Sequence, residues 1–256
     1  MKYRLTRLVL FTIVLLNFPM VILSQDTLLV EWSATPGHFE STIMADTNYS
    51  TGEHEHDVYL LEANKVYLQL SELNLYSSCS IVGEEPGEGE HPATIQPITG
   101  DDGDSWFTGW PQNNFKTYGE NQVYEFKNLL MNGAFADAFA PSGFLFGVLA
   151  TYGEGNTLRV DNVTSVHNAH ITYFNFGQDE HWHLTNNMAV QYTSNVGVQW
   201  FGGFWWGAGS WTGSVQTLEV RNNTIEGVLG YGLVIYDNGP RGATGVIDRN
   251  TFANTN

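Results

Sequence analysis

A six-residue pattern recurs along this 256-residue chain, and it restricts the fold more than any other feature. Val220-Arg-Asn-Asn-Thr-Ile225 and Ile247-Asp-Arg-Asn-Thr-Phe252 both read apolar, two polar, Asn, any residue, apolar. Leu184-Thr-Asn-Asn-Met-Ala189 obeys the same rule with a smaller last residue. Val160-Asp-Asn162-Val163 and Phe126-Lys-Asn128-Leu129 are looser forms in which the Asn arrives one place early. The leading apolar residues lie 34, 24, 36 and 27 positions apart. Between them run short strand-like pieces split by Gly, Asn and Asp, with almost no helical periodicity, which together describe stacked β-coils. Each coil lays a strand in register on the previous one and points a fixed apolar set inward. Where the chain bends, Asn tolerates a left-handed backbone, and Asn in equivalent bends can bond from coil to coil. The pattern therefore predicts that Leu184, Val220 and Ile247 stack inside as parallel neighbours, with Ile225 and Phe252 also inward. It further predicts a side-chain ladder of Asn187, Asn223 and Asn250.

Two regions carry a family likeness. The stretch Asp57–Leu68, then Ser80-Ile-Val-Gly-Glu84, then Ala93-Thr-Ile-Gln-Pro97 resembles the opening coils of the pectate-lyase-like superfamily of right-handed parallel β-helices. The Asn-bearing coils from Phe126 to Phe252 resemble its repeated body. The resemblance implies an all-β fold, a single right-handed parallel β-helix solenoid, over residues 57–256 behind an N-terminal cap at 25–56. These motifs are shared by lyases, hydrolases, epimerases, tailspikes and adhesins, so they imply no single activity. Ile247–Phe252 opens a further coil that stops in mid-turn at Asn256, so the sequence is expected to be truncated at its C-terminus, because an open last coil needs a cap.

Residues 1–7 carry three positive charges, an apolar run follows from Leu8 to Leu23, and Ser24 precedes renewed polarity, which reads as a secretory signal at residues 1–24. The run is interrupted by Asn17 and Pro19 and falls short of the ~20 apolar residues of a membrane span. A secreted or cell-surface location follows, with no membrane insertion after signal removal. Removing the signal leaves seven basic residues against 27 acidic ones. So acidic a chain excludes nucleic acid as a partner and repels polyanions unless a cation intervenes. Cys79 is the one cysteine, so no internal disulfide forms, and its apolar surroundings predict a buried thiol.

Several clusters are candidates for chemistry. In Asp179-Glu-His181-Trp-His183 the alternate residues share one strand face, which suits a metal held by Asp179 with the two imidazoles, or acid–base catalysis by His181 and His183. A solvated connecting loop explains the same residues. His54-Glu-His56-Asp57 has similar chemistry within the cap. Asp101-Asp102-Gly-Asp104 offers oxygen ligands for a divalent cation such as calcium, although it lacks the later Glu of a twelve-residue calcium loop. Lyases of the resembling superfamily need a cation or basic group and a base, which directs attention to Arg221, outward on its strand and level with Asp248, where a structural ion pair with Asp161 or Asp248 is the rival reading. Trp200–Trp211 reads as a loop standing off the coils. In it Trp205, Trp206 and Trp211 suit stacking on sugar rings, or else a hydrophobic plug. Trp106, Phe107 and Trp110 form a second loop of this kind.

The sequence thus predicts an exported protein that binds or cleaves an extracellular polysaccharide along a long face. A non-catalytic adhesion scaffold is the rival, and a metal-dependent enzyme centred on His181 and His183 comes third.

Overall fold

The computed structural model describes residues 26–99, 113–136, 147–168, 172–190, 204–206, 214–226, 233–235 and 244–253, the backbone alone at 204–206 and 233–235. Short β-branched and aromatic stretches between Gly, Asn and Asp give strands almost throughout. They are β1 (Thr27–Val30), β2 (Val58–Leu61), β3 (Val66–Gln69), β4 (Leu73–Leu75), β5 (Cys79–Gly83), β6 (Ala93–Pro97) and β7 (Asn113–Thr117). There follow β8 (Val123–Asn132), β9 (Gly147–Thr151), β10 (Thr157–Val166), β11 (Tyr173–Asn175), β12 (Glu180–Thr185), β13 (Met188–Val190) and β14 (Phe204–Trp206). The last are β15 (Val215–Arg221), β16 (Thr224–Glu226), β17 (Leu233–Ile235), β18 (Thr244–Asp248) and β19 (Thr251–Ala253). One helix, α1 (His38–Ala45), occurs among the described residues and buries Phe39 and Ile43. Its Phe39 meets Tyr67 and Phe115 edge-on within the core. The stretch expected to form the cap also contributes β1, which pairs with β2. No described helix is long and apolar enough to cross a membrane.

All strand ladders are parallel. The first sheet runs β1-β2-β5-β8-β10-β12-β15-β18, with a second arm β3-β6 that joins β8 and continues from β10 through β13, β16 and β19. The second sheet runs β4-β7-β9-β11-β14-β17. The long strands β8 and β10 bend at Asn128 and Asn162 and so belong to both arms. In chain order the strands visit first arm, second arm and second sheet in turn. The apolar residues of all three columns form one core that includes Phe126, Val160, Trp182, Leu184 and Val220. Cys79 lies in it, 4% exposed, and burial pushes its thiol up to about 12.

The repeat and the register coincide. Phe126, Val160, Leu184, Val220 and Ile247 are successive partners on adjacent strands. The Asn ladder is present and its geometry is regular. The Oδ1 of Asn223 accepts from the Asn187 backbone N–H at 2.9 Å, and the Oδ1 of Asn250 accepts from that of Asn223 at 2.9 Å. Each Nδ2 donates one rung back, Asn187 to Val160 O, Asn223 to Leu184 O and Asn250 to Val220 O, at 2.8–2.9 Å. The bend's backbone groups are thereby satisfied away from water.

Two expectations are corrected. The left-handed residue is not the ladder Asn but the one before it, namely Asn186, Asn222 and Arg249 with φ of 53–58°. Asn128 and Asn162 occupy this same position, which is why they arrive one place early, and Asn162 Nδ2 donates to Asn128 Oδ1 at 3.0 Å. Leu184, Val220 and Ile225 are buried, whereas Ile247 is 48% and Phe252 45% exposed. The latter two lie on β18 and β19, each of which has a partner on one side alone among the described residues.

Candidate functional site

Residues 181, 183 and 185 alternate with buried Glu180, Trp182 and Leu184, so His181 and His183 do share the outward face of the first sheet. Neighbouring strands answer them in register, Thr217 beside His181, Glu219 beside His183 and Arg221 beside Thr185. His181 Nδ1 lies 2.8 Å from Thr217 Oγ1. Glu219, which the sequence reading passed over, joins two of the candidates: Oε2 is 3.0 Å from His183 Nδ1 and Oε1 is 2.9 Å from Arg221 Nε. Arg221 is level with Asp248 as expected, but its ion pair is with Glu219 on its own strand. Asp161 instead faces Lys127 at 3.9 Å and accepts from Thr185 and Asn186. Asp179 stays off this face. It sits in the bend before β12 at φ 54°, its N–H donating to Ser214 Oγ and its Oδ1 accepting from that hydroxyl. Among the described residues no group of three or more His, Cys, Asp and Glu is arranged to hold a metal ion.

The outer face of the second sheet is a different surface. Asn74, Lys116, Ala150, Phe174 and Trp205 occupy one register column, in which Lys116, Ala150 and Phe174 are buried. Beside it, just past each strand, Tyr76, Tyr118, Tyr152 and Phe176 stack with ring centroids 5.0, 5.2 and 4.8 Å apart and planes within 16° of parallel. The backbone bonds between neighbouring parallel strands set this spacing, Tyr118 N to Leu75 O, Tyr152 N to Thr117 O and Phe176 N to Thr151 O. Tyr76 is 51% exposed and the other three rings are half-buried. Burial raises the hydroxyl pKa of Tyr118 and Tyr152, so both remain neutral donors. A signal for this strip exists in the sequence: Tyr118-Gly-Glu, Tyr152-Gly-Glu and Phe176-Gly-Gln repeat at the spacing of the Asn pattern. Gly153 is required there because a Cβ would strike the Gly119 carbonyl and the Asn156 amide.

At the Tyr76 end, α1, the following turn and β4 enclose a cleft of about 430 Å³, lined among others by Glu40, Glu72, Asn74, Tyr49 and Tyr76. Glu40 is buried, its Oε1 accepting from the N–H groups of Leu70 at 2.5 Å and Ser71 at 3.0 Å. Burial raises its pKa against the pull of those bonds. Glu72 is raised by burial too, although Lys116 Nζ donates to its Oε2 at 2.8 Å. Behind the cleft, His54, His56 and Tyr59 converge on Asp46, whose Oδ1 is 2.7 Å from His56 Nδ1 and whose Oδ2 accepts from Tyr59 at 2.7 Å. Tyr59 OH also lies 2.8 Å from His54 Nδ1, so His54 and His56 of the His54–Asp57 candidate are held in a hydrogen-bonded group with Asp46 and Tyr59.

The tryptophans are not placed as expected. Residues 204–206 form β14 between β11 and β17, so Trp205 and Trp206 belong to a strand of the second sheet and not to a loop standing off it. Trp211, Trp106, Phe107, Trp110 and Asp101–Asp104 lie outside the described residues.

These features define a nearly all-β protein of parallel sheets with a polar outward face on one sheet and an aromatic one on the other. No protein-family model matches the chain, and no curated protein matches it either. A solved structure from Parabacteroides merdae, named as a "putative glycosyl hydrolase", aligns at a TM-score of 0.43 and 11% identity over 90% of this chain and 95% of its own. Likeness at that level establishes neither fold nor function.

Proposed function

We propose that the chain is an exported, right-handed parallel β-solenoid that holds an extracellular polysaccharide along the aromatic strip that edges its second sheet. The observation that carries this reading is the stacked strip Tyr76–Tyr118–Tyr152–Phe176. Three consecutive ring pairs along the stacking direction make a continuous aromatic edge that carries the neutral hydroxyls of Tyr118 and Tyr152, and it ends in a cleft lined by carboxyl and amide groups. Aromatic surface packs against sugar C–H faces while tyrosine hydroxyls bond sugar hydroxyls. An elongated face suits an elongated polymer.

Affinity electrophoresis through gels containing neutral polysaccharides tests it. The intact chain is expected to be retarded, and the double variant Tyr118→Ala, Tyr152→Ala to run free. Loss of the stacked pairs costs about 0.5–1.5 kcal/mol each beyond the lost area burial, so the melting temperature of the variant is measured beside its mobility and only a folded variant is compared. Equal retardation of both proteins sinks the reading.

A second reading, cleavage of the polymer, is favoured by one observation, the outward His183–Glu219–Arg221 group. A carboxylate that orients an imidazole is the arrangement of a general base, and the guanidinium beside it would face an acidic substrate group. Incubation with uronate-containing polymers and measurement of new reducing or unsaturated ends decides it. No activity, or full activity in His183→Ala, removes it.

A further inference from the structure

The outer face of β12 presents two imidazoles in the same state. His181 and His183 alternate with Glu180, Trp182 and Leu184, which are wholly buried, so the core fixes the strand that carries them. β12 also has a parallel neighbour on each side, β10 and β15. One nitrogen of each ring is engaged: His183 Nδ1 lies 3.0 Å from Glu219 Oε2, and His181 Nδ1 lies 2.8 Å from Thr217 Oγ1. A carboxylate only accepts, so neutral His183 keeps its proton on Nδ1 and its lone pair on Nε2. The Thr217 hydroxyl can accept from His181 in the same way. Both Nε2 atoms are left without a hydrogen-bond partner among the described residues. The His183 side chain is 38% exposed, so a ligand can reach its ring, whereas His54 Nε2 is buried.

A group that orients Nδ1 and frees Nε2 is what surrounds a histidine-ligated metal. The ligand chemistry narrows the ion. Calcium and magnesium take oxygen, whereas imidazole nitrogen suits zinc, copper and nickel. Alternate residues of a strand stand about 6.6 Å apart. Metal–nitrogen bonds of about 2.0–2.1 Å bring two ligand atoms to about 3 Å, a gap that two outward rings close by tilting toward each other. The cations nearby are answered: Arg159, level with His183 on β10, is level with Glu125 on its other side, and Arg221 is paired with Glu219. The chain as a whole has a formal net charge of −17, which draws cations to it. We propose that Nε2 of His181 and Nε2 of His183 together hold one divalent transition-metal ion of the zinc and copper class. Glu219 and Thr217 act as positioning residues, and the ion's remaining positions face solvent. This site needs no saccharide. It draws on the same Nε2 as the cleavage reading, so metal binding is measured without any polymer present.

Calorimetric titration of the untagged full chain with zinc chloride, and with calcium chloride beside it, tests the proposal. Saturable binding of one zinc ion per chain is expected, with no binding of calcium. His181→Ala and His183→Ala should each weaken zinc binding about tenfold or more, while His91→Ala leaves it unchanged. Glu219→Ala should weaken it about tenfold, and Glu219→Gln, which keeps an acceptor for His183 Nδ1, should restore most of the loss. Zinc should raise the melting temperature of the parent chain but not of His181→Ala or His183→Ala. Nitrogen-15 imidazole spectra of the parent need no variant to fold: zinc should move the Nε2 resonances of His181 and His183 and leave the Nδ1 of His183 protonated. Absence of saturable zinc binding, calcium binding in its place, indifference to both histidine variants, or zinc-shifted resonances confined to other histidines overturns the proposal.

Discussion

Glu180 opens β12 with its side chain wholly inside, its Oε1 accepting from Asn156 Nδ2 at 3.4 Å. Burial pushes its carboxyl up to about 8 from an ordinary value of 4.5. At pH 7 the folded chain therefore holds a proton there that the unfolded chain has released. The linkage has a definite sign: a raised carboxyl pKa is without penalty below about 4.5, and stability falls as pH rises from there to about 8. Each pKa unit is worth about 1.4 kcal/mol, so the penalty at pH 7 is about 3 kcal/mol. Glu180→Gln has nearly the shape of the protonated acid and does not titrate. Urea unfolding of both proteins from pH 4 to 8 should show the variant more stable by about 3 kcal/mol at pH 7. That difference should shrink to almost nothing near pH 4. Taking the difference between two otherwise identical chains cancels the titration of Glu40, Glu72 and the surface carboxylates. A difference that is constant across this range, or a variant less stable than the parent at pH 7, would refute the argument that Glu180 is buried as the neutral acid.

Asn223→Ala removes an acceptor for the Asn187 N–H and a donor to the Leu184 carbonyl, both buried, so a loss of about 2–4 kcal/mol is expected in chemical denaturation. Asn222→Ala, in the left-handed place, should cost less, about 1–2 kcal/mol, and Asn222→Gly should recover most of it. Gly153→Ala drives a methyl group into the Gly119 carbonyl and the Asn156 amide and should lower the melting temperature sharply, whereas Gly89→Ala, with open space around it, should show the smaller effect of its positive φ alone. Leu184→Ala, at the centre of the core, should destabilise by about 2–5 kcal/mol.

The strand spacing was legible because a parallel register repeats one chemical environment at equivalent positions. Every rung from Phe126 to Ile247 therefore carries the same apolar anchor. The Asn residues were legible as a ladder but not in their division of labour. Asn186 and Asn187 are adjacent, chemically identical, and perform different tasks that only φ and bond direction reveal. The pairing of His181 with His183 followed from strand alternation, while the exclusion of Asp179 did not, since the bend ends the alternation one residue earlier. The Tyr-Gly-Glu repeat shares the spacing of the Asn pattern and is legible in the same way. The cleft was not, because Glu40 on a helix and Asn74 on a strand share no spacing, and their raised or unpartnered state arises from burial that no local pattern encodes.

The Asn ladder has a consequence for how such a chain can change length. Its bonds run between neighbouring rungs and depend on nothing in the stretches that connect them. Anchors separated by 24 residues and by 36 residues make the same bonds. Connecting segments are thus free to grow, shrink or be exchanged while the frame keeps its registration, and a whole rung copied with its Asn pair would meet complementary donors and acceptors on both sides. A chain built this way can gain new surface by duplication or by loop replacement, without a new core having to be found each time.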